Sequence, residues 1–352
     1  HLNPRGPRRR TTTDQKLDLQ RLITRCLSKE LQRPPSRGWP FVLQPEKIKK
    51  LLHPLTKNLP LHDTSNVMDI GAITSQKDWD RLADNVDAPL QQRWLYGAVA
   101  ERLGRKVRRL AIYDDDRCVA IMQSVSRSIA GIEFTLASRG PLFLANCDRN
   151  QVLRTTKRAL PFRSITVMTP PENLRRIPLS RGSTFCDLDL TPSSEILRET
   201  LHPKWRYSLK KVEYSRLKVA KVTATADAIM PLLQAEKNRQ AKATYRALPP
   251  EFTLAVQDVA PRSLRLFTAS DAQMLFIRHG NSATYHIGYT GPDGRAQNAH
   301  NLILWQAMLA LKKEGVKRLD LGSIDERHAP DLARFKLRTG ARATQNATAC
   351  LL

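Results

Sequence analysis

At 352 residues the chain is long for one domain, and two are expected, together with an appendage. Its 41% hydrophobic content can fill real cores, while 58 lysines and arginines against 33 acids leave a formal net charge of +25, which points to a polyanionic partner: nucleic acid, an anionic membrane face or a phosphorylated substrate. The five scattered cysteines (Cys26, Cys118, Cys147, Cys186, Cys350) show no CxxC spacing and so exclude a zinc knuckle or a redox pair, and no apolar run approaches the roughly 20 residues of a membrane helix.

Residues 1–67 differ in character from the remainder of the chain. They are basic and rich in proline, and only Leu17 to Leu31 runs long enough between prolines to form a short amphipathic helix. Such a composition buries little apolar surface. The stretch is expected to be a disordered extension, a phosphate-binding arm, or sequence ahead of a true start at Met68. Single cysteines and the lack of a secretory segment suggest a cytoplasmic protein, with peripheral contact to the inner face of an anionic membrane left open.

From Met68 the pattern becomes globular. Asp78 to Ala83 and Leu90 to Leu103 predict helices, the second closed by Gly104. Arg109 to Tyr113 and Cys118 to Ser126 predict a hairpin turned at Asp114, Asp115 and Asp116. Strands are expected at Phe134 to Ser138 and Pro141 to Leu144, then a helix at Gln151 to Leu160 and a strand at Ser164 to Met168. A second cycle opens with a strand at Phe185 to Leu190, a helix capped by Ser193 or Ser194, and a basic helix from Lys204 to Arg216 after the His202-Pro203 break. Helices at Ala226 to Ala241 and Glu251 to Gln257 precede three strands, Ser263 to Ala269, Gln273 to His279 and Ser282 to Tyr289. The Gly291-Pro-Asp-Gly294 run then breaks the sheet. Asn298 to Glu314 carries an apolar stripe through Leu302, Trp305 and Leu311 and stops at Gly315, and the strand Val316 to Leu321 ends at Gly322. Each half therefore holds helices, an antiparallel hairpin, a further helix and a strand. The pattern is α/β or α+β, with the look of a duplication divided into 68–185 and 186–352.

Three places carry candidate chemistry. On the basic helix, Lys204 and Lys211 lie two turns apart, while Arg206 and Lys210 are four apart and share another face. Cations side by side suit a pyrophosphate or a nucleic-acid backbone, and a solvated face is the plainer reading. Phe335-Lys336 stands just ahead of Gly340, where a protonated amine can complement a developing oxyanion; an exposed lysine beside a core phenylalanine is the alternative. Asp320 and Asp325 flank Gly322 and are candidate bases, as is the substrate itself. His286 and His300 have no cysteine or carboxylate at ligand spacing, so no metal is expected. The sequence lacks a nucleophile elbow, a Walker loop, and the Arg/Gln-x-x-Gly-x-Gly/Ala pyrophosphate loop of ordinary acetyl-CoA transferases.

In order and spacing, Pro89-Leu-Gln-Gln-Arg-Trp94-Leu-Tyr96-Gly97, Arg139-Gly140-Pro141, Lys204-Trp-Arg206-Tyr-Ser-Leu-Lys210-Lys211, Asn298-Ala-His-Asn-Leu-Ile-Leu-Trp305, Leu319-Asp-Leu-Gly322 and Phe335-Lys336 with Gly340 resemble the Fem family of non-ribosomal peptidyl transferases, over roughly residues 68–341. The resemblance implies an α+β fold of two tandem GNAT-like (acyl-CoA N-acyltransferase-like) domains with mixed sheets flanked by helices, in the form without a coiled-coil arm. It implies an acyltransferase, specifically an aminoacyltransferase, with aminoacyl-tRNA as donor, no bound cofactor, and as acceptor an amine of a peptidoglycan precursor or another phosphorylated cell-wall molecule. Phe335 and Lys336, with Asp320, are implied near the transferred carbonyl, and Arg206 with Lys204 or Lys210 at the acceptor's phosphates. Trp94, Tyr96 and Trp305 are counted among the substrate-binding residues. Ala100 stands where many relatives have a phosphate-binding lysine. Two rivals remain: a GNAT N-acyltransferase using acetyl-CoA or acyl-CoA, and a non-catalytic basic nucleic-acid-binding protein.

Overall fold

The computed structural model describes residues 68–352 apart from 130, 173, 175, 177, 178, 180, 181, 243–247, 346 and 347; the basic arm expected at 1–67, with its helix at Leu17 to Leu31, lies outside the described residues. Among the described residues, ten α-helices flank two mixed sheets of seven strands each. None of these helices is long and apolar enough to cross a membrane.

The first sheet runs β1 (Asp69–Ala72), β2 (Lys106–Asp114), β3 (Arg117–Ile129), β4 (Ile132–Ala137), β6 (Ser164–Met168) and β14 (Cys350–Leu351), with β5 (Leu142–Phe143) paired to β3. The β2–β3 hairpin turns at Asp115, whose φ of 52° is a left-handed conformation that a short polar side chain tolerates. Helices α1 (Gln76–Asp84), α2 (Trp94–Arg102) and α3 (Arg149–Arg158) accompany this sheet, α3 lying in the chain between the parallel strands β4 and β6. The last strand of the chain, β14, pairs with β6 and so returns to the first sheet.

The second sheet has the order β13 (Arg342–Gln345), β7 (Thr184–Asp189), β12 (Arg318–Ile324), β11 (Ser282–Thr290), β10 (Ala272–His279), β9 (Leu264–Ala269) and β8 (Ala220–Val222). Its helices are α4 (Ser194–Thr200), α5 (Pro203–Glu213), α6 (Ala226–Lys242), α7 (Pro250–Val259), α8 (Pro292–Ala296), α9 (Ala299–Lys313) and α10 (Pro330–Leu337). Ser193 caps α4 through the Ile196 N–H, and His202 caps α5 through the Lys204 N–H with Pro203 at the first helical position. One face of α5 buries Trp205, Leu209 and Val212 in the same cluster as Leu302, Trp305, Met308 and Leu311 of α9.

Two expectations change in the structure. The single helix from Leu90 to Leu103 is a 3₁₀ turn at Leu90–Gln92 followed by α2, because Arg93 between them has extended backbone and a buried side chain. The Gly291-Pro-Asp-Gly294 run holds the start of the short helix α8, and α10 forms where no helix was predicted.

The halves are packed together by both kinds of force. Leu90 and Val99 of the first half share an apolar cluster with Phe252, Leu264, Leu275 and Ile277 of the second. Beside that cluster the Arg93 side chain, 1% exposed, donates to the Ala88 carbonyl at 2.9 Å and to Asn281 Oδ1 at 3.1 Å, and pairs with Asp84. Asn281 in turn donates to Asp87 Oδ1 at 3.1 Å. Replacing Arg93 by methionine removes the fork that holds these groups, and is expected to lower the unfolding free energy by about 3 kcal/mol, read as a lower urea midpoint.

Candidate active site

The parallel pair β11 and β12 holds register for only three residues on each strand, Ser282 to Thr284 against Arg318 to Asp320, and beyond them the two strands part. The break is encoded locally. Gly322 takes a φ of 79°, and the register of β12 against β7 shifts between Asp320 and Ser323. Asp320 Oδ1 accepts the Gly322 N–H at 2.7 Å, closing the turn from within the strand. A wedge opens with Tyr285 on one wall and Ser323 on the other.

Lys336 fills this wedge. Helix α10 starts on Pro330, carries Asp331 in its first turn, and buries Ala333 and Lys336, three apart on one face. The Lys336 side chain is 6% exposed, donates from Nζ to the Ser323 carbonyl at 2.9 Å, and lies 5.6 Å from the Tyr285 ring centroid. A Cβ at position 322 would sit 3.7 Å from Nζ, so glycine there keeps the ammonium's side of the wedge open. Burial pushes the amine down from 10.5 to about 8, against the opposing pull of Cys186 and Asp320. Burial likewise pushes the Cys186 thiol up to about 11.

Asp320, one of the candidate bases, has both carboxylate oxygens engaged. It is buried, Oδ2 pairs with Arg139 from the first half, and Oδ1 holds Gly322. Burial would push its carboxyl up, but the guanidinium groups of Arg139 and Arg318 outweigh that and hold it below the usual carboxylate range. Asp325 is exposed and caps the turn leading into α10, accepting the N–H groups of Arg327 and His328.

A second feature adjoins Phe335. An open pocket of about 730 Å³ is lined by Lys204, Tyr207 and Ser208 of α5, Asn301 of α9, and Asp331, Arg334, Phe335 and Arg338 of α10 and its end, with Arg334 paired to Asp331. The indole N–H of Trp205, also in its lining, is buried with no hydrogen-bond partner. Helical geometry groups these residues: 204, 207 and 208 share one side of α5, whereas 206 and 210 point to the other. Arg206 accordingly reaches the Glu199 carbonyl at 3.4 Å, and Lys210 lies 6.0 Å from the Tyr214 ring. Arg206 and Lys210 thus share a face, as the sequence spacing suggested, but not the one that lines the pocket, where Lys204 stands with Arg334 and Arg338. Reading Pro330 and Asp331 as a helix start would have revealed Arg334 and Arg338 as i, i+4 neighbours on the side away from Lys336.

None of the three aromatic candidates lines the α5–α10 pocket. Trp305 is 4% exposed within the second core, beneath Arg198. Tyr96 packs on Phe252 with 5.4 Å between ring centroids, and burial pushes its phenol up to about 12. Trp94 lies under the Arg109 guanidinium at 3.7 Å and lines a separate cavity of about 420 Å³, which shares no lining residue with the α5–α10 pocket. Phe335 packs against Trp205 and His300, with centroids 5.9 and 6.2 Å away, and lines the pocket. His286 bonds Thr253 and is held neutral by burial, which pushes it to about 4.

Residues 198–335 match the family model for the acetyltransferase (GNAT) domain. No curated protein matches the chain. Among solved structures, the crystal structure of FemX aligns with a TM-score of 0.66 at 11% identity, covering 81% of this chain and 97% of that one. A conserved protein of unknown function from Bacteroides thetaiotaomicron VPI-5482 aligns with a TM-score of 0.52 at 14% identity, covering 81% and 100%. The chain has the Fem-like α+β fold, with two GNAT-type halves in tandem.

The amine of Lys336 makes stability depend on pH with a definite sign. Its folded value of about 8 lies below 10.5, so between those pH values the unfolded chain holds a proton that the folded chain has released. Its contribution to stability rises with pH across that window, and the full penalty of burying the charge is present below it. Lys336→Met removes the penalty. The gap in unfolding free energy between variant and wild type, from urea titrations at pH 7 and pH 10.5, is expected to shrink by about 3 kcal/mol at the higher pH.

Proposed function

We propose that this chain, with its Fem-like pair of GNAT-type halves, is an acyltransferase that moves an aminoacyl group from an aminoacyl-tRNA ester to an amine on a peptidoglycan precursor or a similar phosphorylated acceptor. The observation that carries this reading is the Lys336 ammonium, enclosed where β11 and β12 part and tied to the Ser323 carbonyl. A cation held in a dry, shaped site stabilises charge that develops on a reacting carbonyl far better than one in water. In the proposed step the acceptor nitrogen attacks the ester carbon and a C–N bond forms. Lys336 donates to the oxyanion, the C–O bond to the ribose breaks, and the proton lost by the attacking amine ends on the departing ribose oxygen. With both Asp320 oxygens engaged, substrate-assisted transfer is the route taken for that proton.

The α5–α10 pocket supports an RNA donor. Lys204 and Arg338 suit backbone phosphates, beside an Arg334 that Asp331 already pairs, and the exposed Tyr207 ring offers a stacking surface for a base. The chain's strong positive charge agrees with a polyanionic partner. Without the Arg/Gln-x-x-Gly-x-Gly/Ala loop that wraps a coenzyme A pyrophosphate, the acyl-CoA reading takes second place.

Transfer assays with charged tRNA and a panel of amines are expected to show kcat lowered by roughly 10² to 10³ in Lys336→Ala, with partial retention in Lys336→Arg. Because the ammonium form is lost as pH rises through about 8, wild-type kcat is expected to fall on the alkaline side of that value. Undiminished transfer by folded Lys336→Ala would sink the catalytic assignment. A protein that only binds nucleic acid would retain all its RNA affinity in that variant and transfer nothing. In titrations with an aminoacyl minihelix, Lys204→Ala and Arg338→Ala are each expected to weaken binding and reduce the log–log salt slope by about one, whereas Arg206→Ala changes neither. Coenzyme A binding with no response to the minihelix would favour the acyl-CoA reading instead.

A further inference from the structure

Arg139 belongs to the first half, two residues beyond β4, yet its guanidinium lies inside the second. The backbone there is costly. Arg139 has a φ of 53°, a left-handed conformation that disfavours a long side chain by roughly 1–2 kcal/mol. Neighbouring groups hold it: the Arg139 N–H donates to Thr169 Oγ1 at 2.7 Å, and the preceding Ser138 carbonyl accepts from Gln92 Nε2 at 2.8 Å. Gly140 has no room for a Cβ against the Gln92 side chain. From this anchored turn the Arg139 side chain passes over the Phe185 ring at 4.1 Å and pairs with Asp320.

Asp320 passes the constraint on. Its other oxygen holds the Gly322 N–H at 2.7 Å and so fixes the left-handed turn that breaks β12. The carbonyl next along that turn, Ser323, is the acceptor that holds Lys336 Nζ at 2.9 Å. We propose that Arg139 is a positioning residue for Lys336, setting from the first half the direction of the amine in the second through Asp320 and the Gly322 turn. This rests on the catalytic reading of Lys336 only for its consequence in activity; the control of the amine stands by itself. It also assigns the first half a part in the site, since the second half alone would leave Asp320 without its direct ion-pair partner and with only the more distant Arg318 to offset its burial. A purely stabilising ion pair across the halves is the competing account.

The amine itself is the readout. Lys336 is faced by Cys186 from β7, Asp320 from β12 and Tyr285 from β11. Trace acetylation of the full chain with acetic anhydride across pH 6.5–10.5, with peptide mass spectrometry and the exposed Lys211 as internal reference, gives the titration midpoint of Lys336 without any substrate. Wild type is expected to titrate near 8. In Arg139→Met the midpoint is expected to rise by roughly one unit, as the turn loosens, the amine gains water and Asp320 becomes free to face it. Arg139→Lys keeps a cation beside Asp320 but lacks the planar fork, and an upward shift there as well keeps the test decisive if the methionine variant does not fold. A midpoint that stays near 8 in a folded Arg139 variant, with only the urea midpoint lowered, would overturn the proposal. If Lys336→Ala proves fully active while the Arg139 variants still shift the midpoint, the catalytic reading fails and the positioning role stands.

Discussion

The buried ion pair between Arg139 and Asp320 is the constraint on which the rest of the site hangs. Two charges taken out of water are stable only if each finds its partner and its remaining hydrogen bonds. Arg139 brings one charge from the first sheet, and Asp320 receives it at the one place where β12 leaves its partner. The two halves are therefore joined by this ion pair as well as by an apolar cluster, and the Arg93 clamp performs a similar task a few residues away, at the β10–β11 turn.

Around this pair the site has a layered order. The wedge between β11 and β12 is closed by a lysine whose charge is disfavoured there, and the next residue back, Phe335, lines a basic pocket open to solvent. Burial makes the amine easier to deprotonate while strengthening its interaction with any negative charge that forms beside it. The pocket outside is suited to a different task, because exposed cations recognise phosphates with little selectivity and strong dependence on salt. The buried amine and the basic pocket thus occupy opposite sides of one short helix, α10.

Much of this order was legible in the chain. Apolar spacing located α1, α3, α4, α5, α6, α7 and α9 and the strands β2, β3, β9, β10 and β11, because each buries one face at a regular period. Phe335-Lys336 and the Gly322 turn stood out for their residue types. Short elements were missed: β1, β8, β13 and β14 have four residues or fewer, too few for a period to show. The basic helix was recognised, but the grouping of its cations was not, since Lys204 finds Arg334 and Arg338 only when α10 is packed beside α5. Asp320 stood as one candidate base beside Asp325 and the substrate, because a strand pattern cannot show that an arginine 181 residues earlier in the chain pairs with it.

The sequence by itself determined the local choices: where helices start, where glycine lets the backbone turn, and which residue types stand ready for acyl transfer. Those choices arise from side-chain sterics and hydrogen bonding within a few residues. The tertiary structure alone decided which charges meet, because the energy of an ion depends on the solvent it loses and the partner it gains, and both are set by segments far apart in the chain. Lys336 became a buried amine only when α10 packed on β11 and β12, and Asp320 gained its arginine only when the two halves met.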